Sequence, residues 1–280
     1  MSGERISRGR LQEIRSGLSE RDMEVLESVA TNRFLTSHQI RRTHFAAHAT
    51  DAAAIRSTNR ALARLAGLGL VAHLERRVGG VRAGSGSHVW TLTEAGARLL
   101  RATGEMDGLP LRLRAHEPTA SFLEHTLAIA EVCLRLTEAE RHGKFAIIEL
   151  QREPDCWRAH SRRHGDDIRL RPDLSLVTAS GEYEDHWFLE IDRDTEPPSR
   201  VIRACLKYEV YRQTDAEQKR TGIFPAVVWV VPDSKRASTL RTHIAATEGL
   251  SRGHYAVVTL DDLLPLVKAG IGSQEIDHGA

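Results

Sequence analysis

Between Arg169 and Tyr211 the chain carries acidic residues at a spacing that could handle a phosphate. Pro172-Asp173 opens an apolar run through Val177, a Gly181-Glu182 turn follows, and the next run reads His186-Trp-Phe-Leu-Glu190-Ile-Asp192-Arg193-Asp-Thr-Glu196. Two β-rich runs joined by a short turn predict a hairpin. Antiparallel pairing then brings Asp173, near the start of one strand, to the same end as Glu190, near the end of the other. Two converging carboxylates suit a hard cation such as Mg²⁺, which takes oxygen ligands in near-octahedral geometry. That is the outline of a metal-dependent phosphodiesterase site. Asp173 and Glu190 are its candidate metal ligands, and Asp173, Glu190, Asp192 and Lys207 its candidate catalytic residues.

Lys207 enters because lysine is rare here: Lys144, Lys207, Lys219, Lys235 and Lys268 are the only five. On a helical wheel Lys207 falls between Val210 and Tyr211, so its neighbours are expected to be buried. A lysine in such a place calls for a charged partner, and Asp192 or Glu190 would serve. Glu124, on a helix predicted over 119–141, is a further candidate ligand. Its neighbour His125 is weaker, because a lone histidine is more often a core or surface group. His160, His164, Asp166 and Asp167 have ligand chemistry, but their loop is Arg-rich and without pattern, so it reads as solvated.

The elements that must position these residues follow from the same sequence. Inward-facing Phe122, Ile129, Ala130 and Cys133 are expected on the 119–141 helix. Strands are expected at 145–151, 170–179 and 185–192. Pro197-Pro198 suits a first helical turn, and that helix should run to about Gln213. A fully apolar strand, Pro225 to Val231, precedes a helix at 234–247 and a strand at 255–260. Residues 104–118, with Gly104, Gly108 and Pro110, have linker composition.

The first half differs in chemistry. Residues 1–103 hold 16 Arg, no Lys and 9 Asp plus Glu, a net +7 that leaves −6 for the rest of a chain whose total is +1. A basic half points to a polyanionic partner. Capping boxes at Ser19–Asp22 and Thr36–Gln39 predict two helices, to about Thr31 and Phe45. A third, from about Asp51 to Ala66, sets Ile55, Thr58, Leu62, Leu65 and Ala66 on one side. Arg56, Arg60 and Arg64 recur on another at i, i+4 and i+8. Strands at 71–78 and 88–92 flank a Gly/Arg tip, and Thr93 caps a last helix. Three helices then a hairpin is the winged helix-turn-helix order, in which the third helix enters the major groove and the wing follows the backbone. Arg56, Asn59, Arg60 and Arg64 on that helix, with Arg76, Arg77 and Arg82 in the wing, are the candidate contacts to double-stranded DNA. An arginine stripe by itself is usually only a solvated face. Helix order, basic wing and regional charge all favour DNA, while a protein-interaction module is the competing use of this fold.

Pro172-Asp173 on one strand and Glu190-Ile-Asp192 on the next resemble the PD-(D/E)XK restriction-endonuclease-like superfamily. More narrowly, His125, Pro172-Asp173, Glu190-Ile-Asp-Arg-Asp-Thr-Glu196, Lys207 with Tyr208 and Tyr211, and Phe224-Pro-Ala-Val-Val resemble the replication-relaxation family of plasmid and mobile-element proteins, over about residues 18–265. The resemblance implies a mixed α/β architecture: a winged helix-turn-helix over 18–103, a linker over 104–118 and a restriction-endonuclease-like αβββαβ domain over 119–270. In active members of the superfamily the aspartate and glutamate hold the metal, and a lysine two residues after the glutamate stabilises developing charge. Here Asp192 stands at that position with the opposite sign, so Lys207 would have to substitute from the following helix. The alternative is that Asp192, Arg193 and Lys207 form a structural ion-pair network in a retired site.

The function these observations imply is a DNA-binding accessory protein for plasmid or mobile-element replication, relaxation or mobilisation, working with relaxase or replication proteins and compatible with a homodimer. An active Mg²⁺-dependent nuclease or nickase and a winged-helix transcriptional regulator with a C-terminal interaction domain are the alternatives. No run of 18 apolar residues is present, so no membrane span is expected. The polar N-terminus has no signal-like apolar core. Cys133, Cys156 and Cys205 form neither metal spacing nor an even disulfide set, which points to a reducing cytoplasm.

Overall fold

The computed structural model describes residues 7–74, 88–104, 118–160 and 168–270. The chain is mixed α/β and forms two compact units, Met1–Leu134 and Arg135–Ala280. The linker composition at 104–118 lies upstream of this division, which falls inside a helix.

The first unit runs α1 (Arg8–Ser16), α2 (Glu20–Asn32), β1 (Leu35–Thr36), α3 (Ser37–His44), α4 (Asp51–Gly67), β2 (Val71–His73), β3 (Val89–Leu92), α5 (Glu94–Thr103) and the first part of α6 (Ala120–Arg141). Capping chemistry sets the helix starts. Ser19 and Asp22 reciprocate at α2, as do Thr36 and Gln39 at α3, and the Thr50 and Thr93 hydroxyls cap α4 and α5. Each cap satisfies an amide that the helix itself leaves without a partner. The strands form an antiparallel sheet in the order β1-β3-β2. Thr93 also donates to the Gly69 carbonyl at 2.6 Å, fixing the start of α5 against the end of α4. A Cβ on Gly96 would collide with the Leu70 carbonyl oxygen and the Leu92 side chain, so only glycine permits that approach.

Two elements here were not expected, α1 and β1. Leu11 and Ile14 of α1 are buried with Leu18 in the core of Val25, Leu26, Val29, Ile40, Leu62, Leu65 and Leu100. The start of α6 also packs in this unit: Leu123 and Leu127 cluster with Val89, Phe34 and Leu74, and Gln39 Nε2 donates to the Leu127 carbonyl at 3.1 Å. Phe122, expected inward, is 41% exposed, with its ring edge-on to Phe34. The wing residues Arg76, Arg77 and Arg82 lie outside the described residues.

The second unit contains the end of α6, then β4 (Ala146–Arg152), β5 (Arg158–His160), β6 (Ile168–Leu170), β7 (Leu174–Ser180), β8 (Tyr183–Ile191), α7 (Pro198–Arg212), α8 (Ala216–Thr221), β9 (Ala226–Val231), α9 (Ser234–Ala245), β10 (Tyr255–Thr259) and α10 (Leu263–Ala269). Its five-stranded sheet has the order β10-β9-β8-β7-β4. The β4–β7 and β7–β8 pairs are antiparallel, and β8–β9 and β9–β10 are parallel. The strand expected over 170–179 is interrupted: β6 pairs with β5 in a separate two-stranded sheet, and β7 begins only after Pro172-Asp173. Proline cannot donate to a ladder, which is consistent with the break. α8 was not expected.

Period-2 alternation along β8 places Phe188 and Glu190 on one face and Trp187, Leu189 and Ile191 on the other. Phe188 packs with Val201, Cys205, Tyr208 and Tyr211 of α7, with Ala237 and Leu240 of α9, and with Val227 and Trp229. The Glu190 side chain thus shares its face with α7 and α9. Among the described residues no helix is long and apolar enough to cross a membrane.

Candidate functional site

The β7–β8 register runs through Leu174 opposite Leu189, so the next rung sets Asp173 opposite Glu190. Directly opposed residues project from the same face of an antiparallel pair. The hairpin therefore gathers both carboxylates at its open end. Asp173 Oδ2 accepts from the Ile191 amide at 2.7 Å, and Glu190 Oε1 accepts from the Tyr208 hydroxyl at 2.6 Å. Burial, and then the negative charge of Asp173, push the Glu190 carboxyl well above the usual carboxylate range, and the Tyr208 bond only partly opposes this. Burial and the Glu190 charge raise the Tyr208 phenol in turn. Two such oxygen donors fit a hard cation, which would hold both carboxylates ionised. Among the described residues no group of three or more His, Cys, Asp or Glu side chains is arranged to hold a metal ion.

Asp192 is not part of that pair. It is buried, and Arg236, at the start of α9 and equally buried, grips it by two hydrogen bonds: Nε to Oδ2 at 2.6 Å and Nη2 to Oδ1 at 3.2 Å. The same guanidinium reaches Asp194 Oδ1 at 3.0 Å and donates to the Glu196 carbonyl at 2.7 Å. The acidic string Glu190 to Glu196 thus divides. Glu190 faces Asp173, and the remainder wraps Arg236. The hydrogen bond that Arg236 donates to Asp192 leads the effects that raise the Arg236 pKa, so the guanidinium stays charged.

Lys207 does not have the buried surroundings expected of it. It is exposed on α7, as is Val210, which is 39% exposed. The buried residues of that helix are Val201, Cys205, Tyr208, Glu209 and Tyr211. A residue step is about 100° on a helix, and that step makes Tyr208, not Lys207, the group that reaches Glu190. The expected Asp192–Arg193–Lys207 network is replaced at Asp192 by the Arg236 fork.

Arg158 is a second cation that sequence reasoning missed. Its guanidinium lies 5.5 Å from the Phe188 ring centre, donates to Ser175 Oγ at 3.3 Å, and pairs with fully buried Glu217. Burial would raise Glu217, but Arg220, Arg158 and the Tyr211 hydroxyl together hold it below the usual range. Spacing could not have joined Arg158 to Glu217 or Arg236 to Asp192. Parallel pairing of β8 with β9 is what brings the latter two together: it sets the C-terminal ends of the strands side by side, so the helix that follows β9 starts beside Asp192.

Within the first unit, Arg56, Asn59, Arg60 and Arg64 are exposed on α4, but they are not equivalent. Arg64 Nη2 pairs with buried Asp22 of α2. Although burial raises Asp22, bonds from Ser19 and Arg64 hold it below its ordinary value. Arg64 is therefore a clasp between helices rather than a free member of the stripe. Ile55, expected inward, is 45% exposed, and the buried positions are Ala54, Thr58, Leu62 and Leu65. Glu124 and His125 lie half-buried in this unit, whereas Asp173 and Glu190 belong to the other. His160 is the last residue of β5, and His164, Asp166 and Asp167 lie outside the described residues.

A model of the replication-relaxation family matches residues 26–227. The chain belongs to the replication-relaxation family. Comparison with curated proteins and with solved structures gives no match. Membership suggests a role in the replication or relaxation of mobile elements. The matched stretch includes α4, Asp173, Glu190, Asp192 and Lys207 and ends before Arg236, so the partner that neutralises Asp192 comes from outside it.

Proposed function

We propose that this replication-relaxation protein is a cytoplasmic DNA-binding accessory factor for plasmid or mobile-element replication, relaxation or mobilisation. The observation that carries the reading is the exposed Arg56–Asn59–Arg60 face of α4, in a basic unit whose helices precede an antiparallel hairpin. That order supports a winged helix-turn-helix, with α4 as the helix that enters the major groove of duplex DNA. A relaxase or replication protein is the partner class that family membership supports. The measurement is duplex affinity of the full chain against salt. Neutralising phosphates with arginine releases counterions, so affinity should fall steeply between about 50 and 200 mM salt. A salt-insensitive or undetectable interaction would remove the reading.

The second unit supports a restriction-endonuclease-like domain with a weakened site. Asp173 and Glu190 would hold a Mg²⁺ ion, which when bound supplies positive charge to a phosphate. Asp192 stands where active members of that superfamily place lysine, and the cation beside it, Arg236, is committed to the Asp192 carboxylate. An active nuclease is the second reading, favoured by the Asp173–Glu190 juxtaposition. A supercoiled-plasmid nicking assay with Mg²⁺ and Mn²⁺ separates the two: no nicking supports the accessory role, and nicking abolished by Asp173→Ala supports the nuclease.

A further inference from the structure

α4 inverts the usual sorting of its residues. Thr58 is buried, with its hydroxyl donating to the Ala54 carbonyl at 2.8 Å, while Ile55 is 45% exposed. A lone exposed isoleucine is ordinary on a protein surface. Its company distinguishes this one. Asn59 lies one turn further along the same side; Arg56 and Arg60, also one turn apart, lie together on one side of the pair, and Asp51, 3.5 Å from Arg41, lies one turn before Ile55 on the other. Ala52 and Ala63, both exposed, occupy the face between the two pairs. The helix therefore presents an apolar group and an amide side by side, bordered on one side by two cations, with only methyl groups between. Water offers Ile55 nothing, and the arginines make an anionic partner the complementary one.

We propose that Ile55 and Asn59 are the sequence-reading residues of this protein, taking a thymine methyl and an adenine edge in the major groove, with Arg56 and Arg60 on the backbone. The inference rests on the DNA-binding reading of α4. Apolar side chains read the thymine C5-methyl, and asparagine pairs bidentately with adenine N6 and N7. Side chains four apart on a helix are about 5–6 Å apart, less than two base steps at about 3.4 Å each. The thymine and the adenine therefore belong to adjacent or next-adjacent base pairs of one half-site.

The test uses the full chain and the duplex that it selects from a randomised pool. Each thymine of that duplex is replaced in turn by deoxyuridine, which lacks only the methyl, and affinities are measured for wild type and Ile55→Ala. At one position the replacement should weaken wild type about fourfold, the worth of one buried methyl, and leave Ile55→Ala unchanged. Asn59→Ala should relax the preference for an adenine within two steps of that position by roughly tenfold. If deoxyuridine weakens wild type and Ile55→Ala equally at every position, Ile55 does not read the methyl and the proposal is overturned. Loss of affinity in Arg56→Ala and Arg60→Ala, uniform across sequences, would show in that case that the DNA-binding reading itself stands. Failure of wild type to bind any duplex at low salt would overturn both.

Discussion

Arg236 holds Asp192 through two hydrogen bonds from a single guanidinium, and both side chains are withdrawn from water. The pair decides what the acidic string can do. A carboxylate committed to a buried arginine is already neutralised, and its fixed orientation leaves it little freedom to position water. Removing one partner of a buried pair leaves an uncompensated charge. Arg236→Met should therefore destabilise the protein by about 3–5 kcal/mol, measured by urea unfolding. Asp192→Asn in the Arg236→Met background should recover part of that loss. A loss below about 1 kcal/mol in the single variant would contradict the fork as a buried pair.

The same geometry predicts a penalty for lysine at this position. Asp192→Lys would place its ammonium against Arg236. Asp192→Lys alone should unfold at lower denaturant than Asp192→Asn, and adding Arg236→Met should lift that penalty. Equal stability of Asp192→Lys and Asp192→Asn would show that Arg236 can turn away.

Glu190 and Glu209 should respond to pH in opposite senses. Burial and the Asp173 charge raise Glu190 above its ordinary value of 4.5, so the folded state keeps a proton that the unfolded chain releases. Its contribution is complete below about pH 4.5 and is lost as pH rises through the folded value. Glu190→Gln keeps an acceptor for Tyr208 and cannot ionise, so it should gain stability relative to wild type as pH rises. For Glu209, burial raises the pKa, but bonds from Ser251, Arg212 and Tyr255 outweigh it and the net shift is downward. Its contribution is present above about 4.5 and fades as pH falls through the folded value. Glu209→Gln should therefore cost stability at neutral pH and little in acid. Parallel pH–stability curves for the two variants would contradict both assignments.

Much of this was legible in the sequence, and the failures share a cause. Caps at Ser19, Thr36 and Thr93 and the all-apolar Ala226–Val231 strand are local signals, and each element appears within a few residues of its expected place. The opposition of Asp173 and Glu190 follows from one turn and a period of two. The buried surroundings expected for Lys207 failed because a wheel ranks faces only when the buried side is known, and Tyr208 and Glu209 bury a side that looks polar in sequence. Arg236, 44 residues from Asp192, depended on a parallel β8–β9 pairing that no local signal specifies. α1 was missed because only Leu11 and Ile14 interrupt a polar stretch.

Arg64 and its neighbours on α4 should separate stability from the DNA binding proposed for this helix. Arg64 spans to Asp22, so Arg64→Ala should lower stability by about 1 kcal/mol, a value kept small by the half-exposed guanidinium. Arg56→Ala and Arg60→Ala break no such clasp and should leave stability within about 0.5 kcal/mol. Their effect should appear in DNA affinity. Removing one arginine from a phosphate should lower the slope of log affinity against log salt by about one, whereas Arg64→Ala should leave that slope nearly unchanged. Thermal unfolding and salt-titrated binding on the same three variants provide the measurement. A slope that falls for Arg64→Ala but not for Arg56→Ala or Arg60→Ala would move the DNA-facing side of α4 by a third of a turn, away from Ile55 and Asn59, and the reading face would have to be redrawn around Arg64.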